Sequence, residues 1–273
     1  MVNTVTGNTV LEEHQKILEM AYNFYRPEIV SVDDTIIQEI KPTESSCYDF
    51  DLGPERNHVF SLLNASQQFC FFLGTSDYRP DGINGEVVVD FLLESFQLDS
   101  WEDIREDYLR KIKKTNITLL QERIKLFNEV FEHIDLDYYA KYYDNDDKSL
   151  EMILELPGFR VDPFRKKAFY ALQTTAILNH RETNVPLPCD YQIPKVMKQL
   201  GILKYNSEII KKIENDHIFI ENSKEELAIR SATYIAAHKI TQNGINPAML
   251  DQWLFLQKQN IESKHHLCYT TNY

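Results

Sequence analysis

Leu156-Pro157-Gly158-Phe159, Asp162-Pro163-Phe164-Arg165-Lys166-Lys167-Ala168, Pro188-Cys189-Asp190-Tyr191-Gln192-Ile193-Pro194 and Leu200-Gly201-Ile202-Leu203 follow one another within residues 154–203. Their order predicts a helix, a Pro-Gly hairpin and a second helix, then a third helix behind Asp190. Pro157 blocks continuation of the incoming helix and Gly158 permits a tight turn. Asp162 suits an N-cap and Pro163 the first helical position. Phe164, Ala168, Ala171, Leu172 and Thr175 then fall on one helical face. Val196, Leu200 and Leu203 make the apolar stripe of the helix after Asp190. A carboxylate at such an N-terminus is stabilised by free amides and the helix dipole. That is a good place for a base, or for an anion facing a developing cation.

The rest of the 273 residues sets the bounds. Hydrophobic residues make up 43% and charged residues 26%, enough for a substantial core, in which 15 Phe and 15 Tyr weigh heavily. The net charge of −13 argues against wrapping nucleic acid, which rests on neutralising phosphates, but leaves room for a small basic pocket. Cys47, Cys70, Cys189 and Cys268 are scattered without metal-ligand spacing, so idle thiols in a reducing cytosol are expected. No signal core opens the chain, and no run reaches the roughly 20 apolar residues of a membrane helix. A cytoplasmic protein with no membrane association is the expectation.

Helices are expected over residues 11–25, 32–40, 57–72, 100–113, 118–131, 207–215, 223–240 and from Pro247 onward, while 86–94 reads as a short strand or helix, with Asp90-Phe91-Leu92-Leu93-Glu94 on the side of helix. Ser100-Trp101-Glu102-Asp103 and Ser223-Lys224-Glu225-Glu226 read as capping boxes. Residues 41–55 read as an irregular connection, and 74–85 as a turn-rich loop. The acidic, tyrosine-rich stretch 135–147 reads as a solvated loop. No repeat or linker interrupts the chain. One all-α domain over 1–273 is expected, with residues 1–56 an extension or lid packed on it.

The Leu-Pro-Gly hairpin, the following lysine and the later Asp before Leu200-Gly201 resemble the helix-hairpin-helix DNA glycosylases. Phe164-Arg165-Lys166-Lys167-Ala168, Cys189-Asp190-Tyr191-Gln192-Ile193-Pro194 and Gly201-Ile202-Leu203-Lys204-Tyr205 resemble the queuosine salvage protein family more closely. Further agreements are Phe69-Cys70-Phe71-Phe72, Gln121-Glu122-Arg123, residues 226–232, Leu250-Asp251-Gln252-Trp253-Leu254 and the tail from His265 to Tyr273. The resemblance runs from about Asn57 onward. It implies a helix-hairpin-helix glycosylase-like fold and hydrolysis of queuosine 5′-monophosphate, or queuosine, to release queuine. It implies a small nucleotide or nucleoside as partner, with no metal and no organic cofactor. The alternatives are a DNA-base glycosylase on the same fold and a relative that binds a base or nucleotide without turnover.

Breaking an N-glycosidic bond builds an oxocarbenium-like sugar, which calls for a nearby anion and a guided water. Asp190 suits both roles, and Lys166 is its expected partner, with Lys167 the competitor. The resemblance makes Phe72, Tyr191, Arg230, Asp251, Trp253, His266 and Tyr273 candidates for substrate binding. Asp251 would accept hydrogen bonds from an amine-bearing base, and Phe72 would either stack on it or fill the core. Arg230 would bind phosphate or pair with Glu226 at i,i+4 spacing. Phe72 stands where the family pattern has Trp. Gln192, Leu267 and Tyr269 stand where it has Arg, the side chain best suited to phosphate. Those replacements favour the nucleoside, or another modified nucleotide, over the phosphorylated form.

Overall fold

The first helix, α1 (Thr9–Phe24), puts Val10, Ile17 and Ala21 on one buried face, and the Asn8 side chain accepts from the Leu11 amide at 3.3 Å as its cap. The computed structural model describes residues 8–43, 48–72, 84–257, 261 and 263–273; Cys47 and most of the expected 74–85 loop lie outside them. After α1 come β1 (Val30–Val32), α2 (Asp34–Glu39), α3 (Pro54–Ala65), α4 (Gly85–Ser95), α5 (Trp101–Ile112), α6 (Leu120–His133), α7 (Leu136–Ala140) and α8 (Asp146–Ile153). Then follow α9 (Pro157–Arg160), α10 (Lys166–Leu178), α11 (Gln192–Gln199), β2 (Leu203–Tyr205), α12 (Ser207–Glu214), β3 (Ile218–Phe219), α13 (Lys224–Thr241), α14 (Pro247–Gln257) and β4 (Leu267–Cys268).

Helix dominates, as the all-α reading expects at that level. The exceptions are two small ladders. β1 runs antiparallel to β2, with Val30 opposite Tyr205, and β3 runs parallel to β4, with Ile218 opposite Leu267. The first ties the N-terminal segment to the strand behind α11; the second seats the tail. α3, α10 and α13 are buried on nearly every face, as helices at the centre of a core must be. α10 packs on α3, and α1 lies along α13. Residues from Val10 to Leu254 join one buried apolar cluster.

Four local expectations need correction. Pro157 does not make a hairpin turn but opens the single-turn helix α9, where its missing N–H costs nothing. α10 starts at Lys166, not Pro163, because Arg165 adopts a left-handed φ of 54°. Asp162 still serves the helix start: its carboxylate accepts from the amides of Phe164 (3.1 Å) and Lys166 (2.7 Å). The stripe after Asp190 stops short of Leu203, since Gly201 at φ 78° turns the chain into β2, a conformation glycine adopts without a Cβ penalty. The stretch 135–147 is no solvated loop. Asp135 caps α7 through the Tyr138 amide at 3.0 Å, and Tyr139 is buried, stacked on His58 at 4.0 Å. Asp146 pairs with Arg181 and accepts from Thr183 Oγ1 at 2.7 Å.

Candidate active site

A cavity of about 460 Å³ opens between α4, α10, the start of α11, α14 and the segment at residues 48–50. Its walls include Tyr48, Phe50, Phe71, Tyr170, Tyr191 and Phe255. Such a volume with aromatic walls fits a flat base bearing a sugar. Lys166, Asp190 and Asp251 also line it. Lys166 lies on α10, Asp190 just ahead of α11 and Asp251 on α14, so only the tertiary fold brings them together.

Asp190 stands just ahead of α11, and its Oδ1 accepts from the amides of Gln192 (2.7 Å) and Ile193 (3.1 Å). The capping role and the cavity-lining role therefore coincide in one carboxylate, whose Oδ1 holds the helix start. Lys166, in the first turn of α10, is almost fully buried and donates from Nζ to the Gln68 carbonyl at 2.5 Å. Its ammonium also sits 4.9 Å from the centre of the Tyr170 ring, one turn along the same helix. Burial pulls the Lys166 pKa down, while the charges of Asp190 and Asp251 push back. Asp251 on α14 is raised to about 7, first by burial and then by the neighbouring Asp190 charge, with Lys166 opposing. The three groups thus form one electrostatic cluster in which a carboxyl stays partly protonated near neutrality.

Lys167 leaves the cavity. Its Nζ donates to the Thr271 carbonyl, and burial lowers its pKa to about 8. The other candidates from the sequence divide. Tyr191 lines the cavity beside Asp190. Phe72 is packed behind it with Phe69, Cys70, Leu126 and Leu267, and its ring meets Tyr191 edge-on at 6.3 Å. The neighbouring Phe71 takes the place in the wall. Trp253 is half-buried against the main core, outside the cavity lining, while Asp251 and Gln252 reach it.

Arg230, His266 and Tyr273 lie together behind the cavity and are buried. Arg230 makes a two-pronged pair with Asp162, at 2.8 and 3.0 Å, and lies 3.8 Å from Glu226. Burial alone would raise the Asp162 pKa, but Arg230 and the Lys166 amide hold it below the ordinary carboxylate value. His266 is driven down to about 3 by burial and by Arg230, so it stays neutral. Among the described residues, the charged lining of the cavity is Asp49, Glu86, Asp90, Asp190 and Asp251 against Lys166. Asp49, Glu86 and Asp90 are exposed, which makes the mouth acidic.

Residues 183–271 match the sequence model of the queuosine salvage protein family. The matched region carries Asp190, Tyr191, Arg230, Asp251 and His266, but not Lys166. Two curated relatives extend the similarity. A queuosine 5′-phosphate N-glycosylase/hydrolase of Schizosaccharomyces pombe is 23% identical over 167 residues, which is 51% of this chain and 48% of that protein. A protein of the same description from Mus musculus is 22% identical over 158 residues, 49% of this chain and 46% of that protein. Each match spans about half the length of the relative.

Three contributors to the site were not singled out for it from the sequence. Gln68 acts through its backbone carbonyl, which no side-chain pattern reveals. Asp162 reads as a cap, which it is, but its pairing with Arg230 spans 68 positions. Tyr170 was within reach of pattern reasoning, because i,i+4 spacing puts it on the Lys166 face.

Proposed function

We propose that the chain is an N-glycosidase that hydrolyses queuosine 5′-monophosphate, or queuosine, and releases queuine. The observation that carries this reading is the convergence of Asp190, Lys166 and Asp251 in one aromatic-walled cavity. The family match and the two curated relatives support the substrate class. We further infer one catalytic unit on the plan of the helix-hairpin-helix glycosylases, from Lys166 at the start of α10 and the Asp190 that follows it ahead of α11. The acidic mouth favours a small substrate over duplex nucleic acid, whose phosphates it would repel.

Water adds to the anomeric carbon as the bond to the base nitrogen breaks, and that electron pair leaves with the base. The sugar acquires positive charge during this step, and the second oxygen of Asp190 stabilises it. The same carboxylate accepts a hydrogen bond from the attacking water, orients it and takes its proton as the bond to the anomeric carbon forms. Lys166, anchored on Gln68, sets its ammonium in the same cavity as Asp190, whose charge supports the lysine's proton. Asp251, titrating at about 7, hydrogen-bonds the base and supplies a proton as it departs.

The test is chromatographic detection of queuine after mixing the pure protein with queuosine 5′-monophosphate and, separately, with queuosine. Release from either supports the reading, and the ratio of rates reports the weight of the phosphate. Binding without release would favour a non-catalytic relative. Absence of both would refute the assignment.

A further inference from the structure

The basic and aromatic groups at the back of the cavity, which the sequence offers for phosphate, are organised differently. Asp162 is fully buried, and its two oxygens accept from the Phe164 and Lys166 amides and from both terminal nitrogens of Arg230. The Arg230 guanidinium also reaches the Cys189 carbonyl at 3.5 Å, one residue before Asp190. Its faces are covered by Phe164 and Tyr273, each ring centre 4.3 Å from the guanidinium carbon. Tyr273 is itself fixed, since the Cys70 amide donates to its carbonyl at 3.2 Å and its ring lies against His266. One side chain of α13 therefore touches both the segment that presents Lys166 and the segment that presents Asp190.

We propose that Arg230 is a positioning residue, which sets the spacing between Lys166 and Asp190 through Asp162 and the Cys189 carbonyl while Tyr273 and Phe164 hold it flat. The inference rests on the N-glycosidase reading above. A rigid fork of donors suits this task, because a guanidinium fixes direction as well as charge. Lysine in its place would keep the charge and lose the two-pronged geometry. The tail from His265 to Tyr273 then serves the site from behind, without touching substrate.

The experiment compares Arg230→Lys, Arg230→Gln and Tyr273→Leu with wild type, on queuosine 5′-monophosphate and on queuosine, with folding checked by thermal melting. A misplacement of catalytic groups by about an ångström costs on the order of 100-fold in rate. We expect kcat of Arg230→Gln to fall by about that factor on both substrates, with KM changed less than about threefold, and Arg230→Lys to recover only part of the loss. Tyr273→Leu, which leaves the ion pair in place, should lower kcat in the same direction where the Arg230 variants do not fold. A rise in KM confined to the phosphorylated substrate would overturn the proposal and make Arg230 a phosphate ligand. Unchanged kcat in a folded Arg230→Gln would overturn it as well. An inactive wild type would instead remove the N-glycosidase reading, and this inference with it.

Discussion

At the scale of single residues, Lys166 and Asp251 are distinguished by what burial does to their protons. Lys166 holds its proton against desolvation with the help of three carboxylates, those of Asp190, Asp251 and Asp162. Lys166→Gln should therefore lower kcat by about 100-fold or more, measured as queuine release under saturating substrate; an unaltered rate would exclude the lysine from the chemistry. Asp251 titrates at about 7 in the folded protein, whereas in the unfolded chain it releases its proton in the ordinary carboxylate range. Folding therefore takes up a proton between those values, and the stability present at low pH declines as pH rises through about 7. Asp251→Asn abolishes that dependence, so the melting temperature of the variant minus that of wild type should grow from pH 4 to pH 7.5. A difference that stays flat with pH would contradict the assignment.

At the scale of elements, the site depends on how helix starts are built. Gly158 in α9 donates its amide to Glu129 Oε1 at 2.7 Å, and a Cβ there would lie 2.0 Å from Leu126 Cδ2. Gly158→Ala should thus cost about 1–3 kcal/mol of stability by overpacking, read by denaturant unfolding; a loss under a few tenths would show that α6 yields freely. The same elements show why the sequence was only partly legible. Helix positions followed from caps and apolar spacing, as with Ser100 and Ser223, because those signals are local. Asp190 was legible for the same reason, as a carboxylate ahead of a helix, whereas Lys166 was singled out by the family resemblance and not by its place in a helix. The left-handed Arg165, the one-turn α9 and the folding of 135–147 were not, because they depend on partners such as Glu129, His58 and Arg181 far along the chain. Arg230 and Tyr273 were candidates by resemblance alone, and their place behind the cavity depends on the distant Asp162 and Phe164.

At the scale of the whole molecule, charge and burial oppose each other. The chain carries −13, yet its centre holds neutral histidines: burial lowers His14 to about 4, and His58 and His266 to about 3. Their stabilising neutrality is complete above the ordinary imidazole value and is lost as pH falls from about 6.5 toward 4 and then 3. The melting temperature should drop over that range, measured in an Asp251→Asn background to remove the opposite slope. His58, wedged between Ser149, Thr175 and Tyr139, should contribute visibly, so His58→Gln should shallow the drop; an unchanged slope would count against its neutrality. No helix among the described residues is long and apolar enough to cross a membrane. Residues 48–50 wall the cavity, while α1, β1 and α2 pack on α13 and β2. The N-terminal region is therefore divided between core and site.

The most direct measurement is the single-turnover rate of queuine release by Asp190→Asn beside wild type, at a substrate concentration where binding of both is verified. Asparagine keeps a side-chain oxygen to accept from the Gln192 and Ile193 amides but removes the negative charge. The account predicts retained binding, a near-native melting temperature and a rate lowered by about 100-fold or more. A rate within a few-fold of wild type, with substrate still bound, would contradict the assignment of Asp190 as the anion that stabilises the developing sugar cation.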